Sequence, residues 1–343
     1  MPKLFIWTIF FLLINIETSM SQKIDKTFFK VINEITLEGL LNNNPLNLKI
    51  NVDKDENFIV TDFALQQVSL FNKKGTLLKN ISRTGRGPGE FERPTSSIRL
   101  KNGNLVVAEF SGEINIFNSN GDSLLASYST PVFPLSSIKK VSNNEIILIG
   151  RMQKDRNHNL LHKYNFSKKQ VTKSFFPLPL NNDLYSRILF NIGELCVADL
   201  NSEFIVTAAT PLNTVYVFSL DGSLIKKLQV DTDLFIPIKE TDKIHPSKYA
   251  SYLSSFSTIS NIILKEDSIL LQYAKYDIKN TRSPLSGSEI KYHLAKIDFN
   301  GNLLSEIENV TKLFSINPNS SNLIFSKDAK ENFKVLEANV KKL

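Results

Sequence analysis

Apolar residues come in short runs closed off by Asn, Asp, Gly and Ser clusters, the pattern of brief β-strands joined by polar turns. Phe58-Ile59-Val60, Val68-Ser69-Leu70-Phe71 and Leu77-Leu78 form one such series. Leu105-Val106-Val107, Ile114-Asn115-Ile116-Phe117 and Leu124-Leu125 repeat it 46 to 47 residues later, Val68 matching Ile114 and Asn57 matching Asn104. With the run ahead of its first turn, each copy holds four strands and predicts one four-stranded antiparallel sheet.

Weaker copies follow at residues 144–166, 203–225 and 269–304. A sixth, from residue 313 onward, holds only three strands, at 313–316, 323–326 and 333–338. The missing strand stands at the other terminus, where residues 27–37 are apolar and β-branched. Pairing that segment with the last copy closes six sheets into a ring and removes the open ends of the array. The expectation is an all-β fold: a six-bladed β-propeller closed by the N-terminal strand pairing with the last blade, one domain over residues 22–343.

Between the first two copies lies Arg83-Thr84-Gly85-Arg86-Gly87-Pro88-Gly89-Glu90-Phe91-Glu92-Arg93-Pro94. Glycines at alternate positions add backbone entropy and no packing, so this is not a strand. Nor is it a nucleotide motif. A P-loop needs Lys-Ser/Thr after its last glycine, and the dinucleotide fingerprint needs a glycine where Glu90 or Glu92 stands. The stretch predicts a tight connector in which Gly85, Gly87, Pro88 and Gly89 turn the chain, Phe91 returns it to the core and Pro94 opens the next strand.

Asn102-Gly103, then Leu105-Val106-Val107-Ala108-Glu109, then Ile114-x-Ile116-Phe117-x-x-x-Gly121 resembles the NHL-type propeller repeat. The Gly85-to-Phe91 connector is similar to that of the bacterial secreted six-bladed propellers related to it. The resemblance is sharp over residues 51–125. Glu109 stands where the repeat carries Asp, and the third, fifth and sixth copies have lost most of the pattern. It implies the fold and a binding role, on an architecture that also carries enzymes.

A hydrophobic share of 42% with 10% aromatics describes a packed globular protein. Residues 1–21 predict a cleavable signal peptide: Lys3, an apolar run over 4–16 that is short of the ~20 residues of a membrane span, then Ser19-Met20-Ser21 for cleavage. No cysteine stands directly behind that run to carry a lipid, and no later segment is apolar for long enough to span. The expectation is therefore a periplasmic or secreted protein that is not a lipoprotein. A single cysteine, Cys196, excludes an internal disulfide. The net charge of +7 permits anionic partners. No basic run or aromatic-interleaved basic stripe points to nucleic acid.

In a meandering blade the first and third turns share one face of the disc, and the second turn and the crossing to the next blade share the other. Short Asn- and Gly-containing turns occupy the first face. The second receives long connections, expected at residues 83–94, 130–137, 151–159, 177–193, 231–259 and 274–292. Long connections that a compact fold does not need are where function concentrates. Of eight arginines, seven fall in that set (Arg83, Arg86, Arg93, Arg151, Arg156, Arg187, Arg282), and Arg99 lies on a channel-lining strand. Guanidinium groups grip carboxylate or phosphate bidentately. These arginines are the candidate binding residues, together with Tyr249 and Tyr252 of a short helix expected near residues 245–256. The alternative is that local acids (Glu90, Glu92, Asp155, Asp183, Glu289) pair with them merely to order the loops.

Catalytic signatures are missing: neither His-Glu-x-x-His nor Gly-x-Ser-x-Gly occurs. The calcium-loop start at Asp53 has Phe58 where glycine is required and Ala64 where Glu is required, so it reads as a β-turn. No cofactor or metal is expected. The leading function is a monomeric, exported, non-catalytic binding propeller presenting its arginine-bearing face to an anionic small molecule, peptide, glycan or envelope protein. One alternative is a metal-dependent hydrolase or lyase at the channel centre, for which His158, His245 and His293 would have to meet at one mouth. Another is a structural subunit of an envelope complex.

Overall fold

Six four-stranded antiparallel sheets stand around one axis in a computed structural model. It describes residues 28–42, 44–81, 85, 87, 89–152, 154–155, 157–177, 195–198, 204–238, 251–252, 254–277, 289–327 and 333–340. From the axis outward, the first blade is β2 (Leu48–Val52), β3 (Phe58–Asp62), β4 (Gln67–Phe71) and β5 (Leu77–Asn80). The second is β6 (Pro94–Arg99), β7 (Leu105–Glu109), β8 (Glu113–Phe117) and β9 (Leu124–Ser129). The third is β10 (Val132–Lys140), β11 (Glu145–Met152), β12 (Asn159–Asn165) and β13 (Gln170–Pro177). The fourth is β14 (Leu195–Val197), β15 (Phe204–Ala209), β16 (Thr214–Ser219) and β17 (Leu224–Gln229). The fifth is β18 (Ser257–Leu264), β19 (Ile269–Asp277), β20 (Glu289–Ile297) and β21 (Leu303–Val310).

The sixth blade is assembled from both ends of the chain. Its inner strands are β22 (Leu313–Ile316), β23 (Leu323–Lys327) and β24 (Lys334–Val340), and its outermost is β1 (Phe29–Thr36). β1 runs antiparallel to β24, from Phe29 opposite Val340 to Thr36 opposite Lys334. The ring is thus an all-β six-bladed propeller, closed as the missing sixth-copy strand required.

Packing follows the period-two alternation of strands. On β3, Phe58 and Val60 face the sixth blade beside Ile324 and Val335, while Ile59 faces the second beside Leu105 and Val107. On β7 the neighbours of those two, Val106 and Ala108, turn to the third blade. Every second strand is therefore covered on both faces, which is why these strands read as unbroken apolar runs. One apolar cluster fills each gap between neighbouring blades, including the gap that β1 completes, where Phe29 meets Phe325 edge-on at 5.2 Å.

The third turns reuse one device. Asn72, Asn118, Ser219 and Asp298 each accept backbone N–H bonds from residues further round the turn. Gly75, Gly121, Gly222 and Gly301 supply the left-handed residue, with φ from +72° to +89°. In the third blade Lys169 takes that conformation at φ 52°. Gly75 has a second duty, because a Cβ there would overlap the Thr36 carbonyl at the end of β1. We expect Gly75→Ala to cost about 1–3 kcal/mol from the backbone alone, and more from the overlap, measurable by urea unfolding.

Three expected loops are shorter than the sequence suggested. The 130–137 connection reduces to Thr130 and Pro131, because β10 already begins at Val132 and Thr130 Oγ1 is tied to Gly112 O at 2.8 Å. Arg151 and Met152 belong to β11, and β19 and β20 extend to Asp277 and from Glu289. These strands outrun the usual five residues.

Candidate functional site

Antiparallel order sends the first and third turns of each blade to one end of the disc. The strand ends that open onto the β1–β2, β5–β6, β13–β14, β17–β18 and β19–β20 connections all stand at the other end. At that second end the innermost strands present edges whose carbonyls have no further strand to pair with, and side chains must supply donors.

Two lysines do so. Lys49, on β2, sends its Nζ to Thr95 O at 2.9 Å and Ser136 O at 2.8 Å, on the innermost strands of the next two blades. Lys312, in the crossing from β21 to β22, donates to Pro45 O at 2.7 Å and Leu48 O at 3.2 Å. Each ammonium also lies over an aromatic ring, Lys49 over Phe63 at 5.4 Å and Lys312 over Phe314 at 5.2 Å. Burial, and then the charge of Lys49, pull the Lys312 pKa down to about 7. Further along the same inner edges the donors are neutral: Asn51 to Ser97 O, and Asn261 to Leu313 O and Phe314 O.

Two buried acids end second strands on this face. Asp62 Oδ1 accepts from Asn42 Nδ2, Ala64 N and Leu65 N, while Oδ2 has no partner among the described residues. Glu109, at the matching place in the second blade, accepts from Glu92 N and Asn115 Nδ2. Burial raises the pKa of both carboxyls. Their bonds fix the turns, which explains the acidic residue at that position of the repeat.

Arg93 is exposed just before β6, its guanidinium 5.7 Å from the Phe110 ring centre. Arg151 is half-buried at the same end of β11. Tyr252 lies edge-on to Phe256 at 5.5 Å, and Phe256 is fully buried at the entrance to β18. Arg83, Arg86, Arg156, Arg187, Arg282, Tyr249, Pro88, His245 and the signal segment lie outside the described residues.

Arg99 stands at the opposite end of β6. Its Nε donates to Asp53 Oδ2 at 2.8 Å, and its Nη1 donates to Gly103 O and Ser119 O at 2.7 Å. Asp53 Oδ1 in turn accepts from Asp55 N and Asn57 N, the β-turn read from the sequence. Arg99 is spent on locking the short turns of the first two blades together, a strand's length away from Arg93. A groove of about 650 Å³ beside it, between Lys54, Lys79, Asn102 and Asp122, is bridged by the Lys79–Asp122 ion pair.

In the glycine connector Gly87 N donates to Glu90 Oε2 at 2.8 Å and Gly85 N to Phe91 O at 3.1 Å. The Glu90 carboxylate folds over Gly85 and leaves no space for a Cβ. Gly89 adopts φ 80°, and Phe91 is fully buried, edge-on to Phe117 at 5.8 Å.

The described histidines stand apart. His158 and His162 belong to the third blade and His293 to the fifth. Buried His162 holds Ser174 Oγ at 2.8 Å and Gly150 O at 3.1 Å. Among the described residues no three His, Cys, Asp or Glu side chains are grouped to hold a metal ion. Burial lowers the pKa of His162 and His293. The unfolded chain therefore takes up these protons more readily. Stability is full above the unfolded value of about 6.5 and falls as pH drops below it. Urea unfolding between about pH 7.5 and 5 is expected to show that decline, with a shallower slope in His162→Gln.

Sequence reasoning passed over Lys49 and Lys312. Lysine is scattered over the whole chain, and these two are distant in sequence and meet only because the ring closes.

A family model described as a six-bladed β-propeller, DUF5128, matches residues 13–191. No curated protein matches the sequence. Among solved structures, a candidate exported protein of Bacteroides fragilis is similar with a TM-score of 0.66 at 12% identity, over 92% of this chain and 96% of that one. A DUF4221 member from Bacteroides vulgatus gives 0.63 at 9% identity, over 94% of this chain and 100% of that one. At such identities the likeness is one of fold. No helix among the described residues is long and apolar enough to cross a membrane.

Proposed function

We propose, from the premise that this chain belongs to the DUF5128 family of six-bladed β-propellers, that it is an exported, non-catalytic binding ring whose long-connection face takes an anionic ligand or partner. The observation that carries this reading is the division between the two ends of the disc. Short turns at one end are used up in bonds within and between blades, Arg99 included. Arg93 and Arg151 stand at the other end, and the sequence of the long connections that leave from it carries Arg83, Arg86, Arg156, Arg187 and Arg282, with Tyr249 and Tyr252 ahead of the fifth blade in the chain.

Export is supported by the signal-like residues 1–21 and by the description of the Bacteroides fragilis neighbour as a candidate exported protein. A single domain over 22–343, a monomer without lipid anchor, and kinship with NHL-type propellers belong to the same proposal. The kinship rests on the Asn102-Gly103 turn and the strands after it.

The experiment screens residues 22–343 by thermal shift against carboxylates, acidic peptides and uronic-acid glycans. For the best hit, Arg86→Met with Arg93→Met is expected to weaken binding about tenfold or more, the worth of a charge-assisted hydrogen bond. Lys74→Met, on the short-turn face, should leave it unchanged. Unchanged affinity in the double arginine variant sinks the reading.

A further inference from the structure

We propose that the groove at the closure seam, between the sixth and first blades on the short-turn side, binds a free α-amino acid with an apolar side chain. The site is separate from the long-connection face and does not rest on it. It is the place where the short-turn side leaves charged side chains over.

Shape is the first support. The groove encloses about 620 Å³, within the ~300–1,000 Å³ of small-molecule sites. Buried Phe58 and Ile324 give it an apolar floor. The pairing of β1 with β24 bulges between Val31 and Asn33, and the residue passed over, Ile32, lines the groove half-exposed. Bulges re-aim a side chain in this way.

Charge is the second. Glu337 lines the groove while only 7% exposed. Its Oε1 accepts from Asn317 Nδ2, Ser320 Oγ and Asn322 Nδ2, and its Oε2 accepts from Asn33 Nδ2 at 2.8 Å. Burial raises the pKa of this carboxyl, but the four bonds outweigh it and hold the group below its ordinary value. Glu337 is therefore a carboxylate at neutral pH, and among the described residues its partners are all neutral. A buried charge in that position favours a cation beside it, and Oε2 keeps acceptor capacity. Asn317 Nδ2 also donates to Glu56 Oε1 at 3.2 Å, so one amide ties two carboxylates together.

Backbone strain is the third. Glu56 adopts φ 63°, a left-handed conformation that disfavours side chains. The matching position of the second blade is Gly103, at φ 90°. The first blade thus accepts strain and gains a carboxylate on the groove. Lys73 Nζ lies 3.7 Å from Glu56 Oε2, beyond hydrogen-bond distance. Lys74 lines the same wall with no ion-pair partner among the described residues. The third acid of the groove, Glu34, is held by Lys327 and Lys334.

Glu56 and Glu337 call for an ammonium, Lys73 and Lys74 for a carboxylate, and the floor for hydrocarbon. A plain amine would be repelled by the lysines and a plain carboxylate by the acids. An α-amino acid carries both charges on neighbouring atoms, as the adjacent Glu56 and Lys73 require.

The test is calorimetry of residues 22–343 with L-leucine, and saturable binding is expected. 3-Methylbutylamine and 4-methylpentanoate each lack one of its charges and should bind at least about tenfold more weakly. Glycine, which lacks the side chain, should lose about as much. Glu56→Gly should weaken leucine binding about tenfold or more, while its thermal midpoint stays level or rises, because glycine suits the left-handed backbone. That combination separates a binding role from a structural one. Lys74→Met should lose a similar factor, and Arg86→Met with Arg93→Met should lose nothing.

No saturable leucine binding, or wild-type affinity in either Glu56→Gly or Lys74→Met, overturns the site. Amine or carboxylate binding as tightly as leucine overturns the zwitterion. Loss of leucine binding in the double arginine variant overturns the placement at the seam. Each of these outcomes leaves the long-connection face to its own screen.

Discussion

Deleting β1 is expected to abolish cooperative unfolding and the monomeric state together. The segment supplies the outer partner of β24 from Phe29 to Thr36. It also buries Phe29 between the fifth and sixth blades and leads into Leu37, fully buried between the sixth and first. Truncating one buried Phe costs about 3–5 kcal/mol. Losing the whole strand adds an open β24 edge, against a total stability of only about 5–15 kcal/mol. An unpaired edge next to apolar surface recruits other chains, so the truncated protein should run as oligomers with a broad, featureless melt. A synthetic peptide of residues 28–38 added in trans should restore part of the transition. A truncated monomer that melts as sharply as the parent would show that the ring does not depend on this closure.

The second large effect is expected from Asp53→Ala. The Asp53 side chain is 1% exposed and that of Arg99 is 10% exposed, so removing the carboxylate strands a guanidinium away from solvent. Breaking one side of a buried pair costs about 3–5 kcal/mol, and the turn at residues 53–57 loses its cap as well. Asp53→Ala with Arg99→Met should recover more than half of the loss, because no charge is then left without its partner. Denaturant midpoints measure both. A single-variant loss under about 1 kcal/mol would mean the pair behaves as a solvent-screened surface bridge. Ligand affinity should not change in either variant, since this lock sits on the face opposite the long connections.

The blades were legible because the repeat is written in turn chemistry. Asn72 with Gly75 and Asn118 with Gly121 mark the same hairpin twice, and the three-stranded last copy pointed to the first segment of the chain. Where the chemistry changed, the signal faded. Lys169 holds the third blade's turn with a positive φ that no sequence rule anticipates for lysine. Strands β19 and β20 run past the expected length because a hairpin continues wherever cross-strand pairs go on fitting.

Toward a site, the sequence pointed to a face rather than to a set of partners. Uneven arginine distribution singled out a face, because guanidinium is a specific tool and its scarcity makes position informative. Lys49 and Lys312 gave no such signal, since lysine is the default surface charge, and only coordinates show them committed to inner-strand carbonyls. Arg99 shows the converse. Its neighbours in sequence suggested the channel, and its real partner, Asp53, lies one repeat earlier in the chain.

Hydrogen exchange of residues 22–343 with and without the best hit of the anionic-ligand screen tests most directly whether binding belongs to the long-connection face. Slowed exchange is predicted at residues 44–49, 89–93 and 311–314, with the turns at 53–57, 72–76 and 118–123 unaffected. Protection confined to those turns would contradict the account.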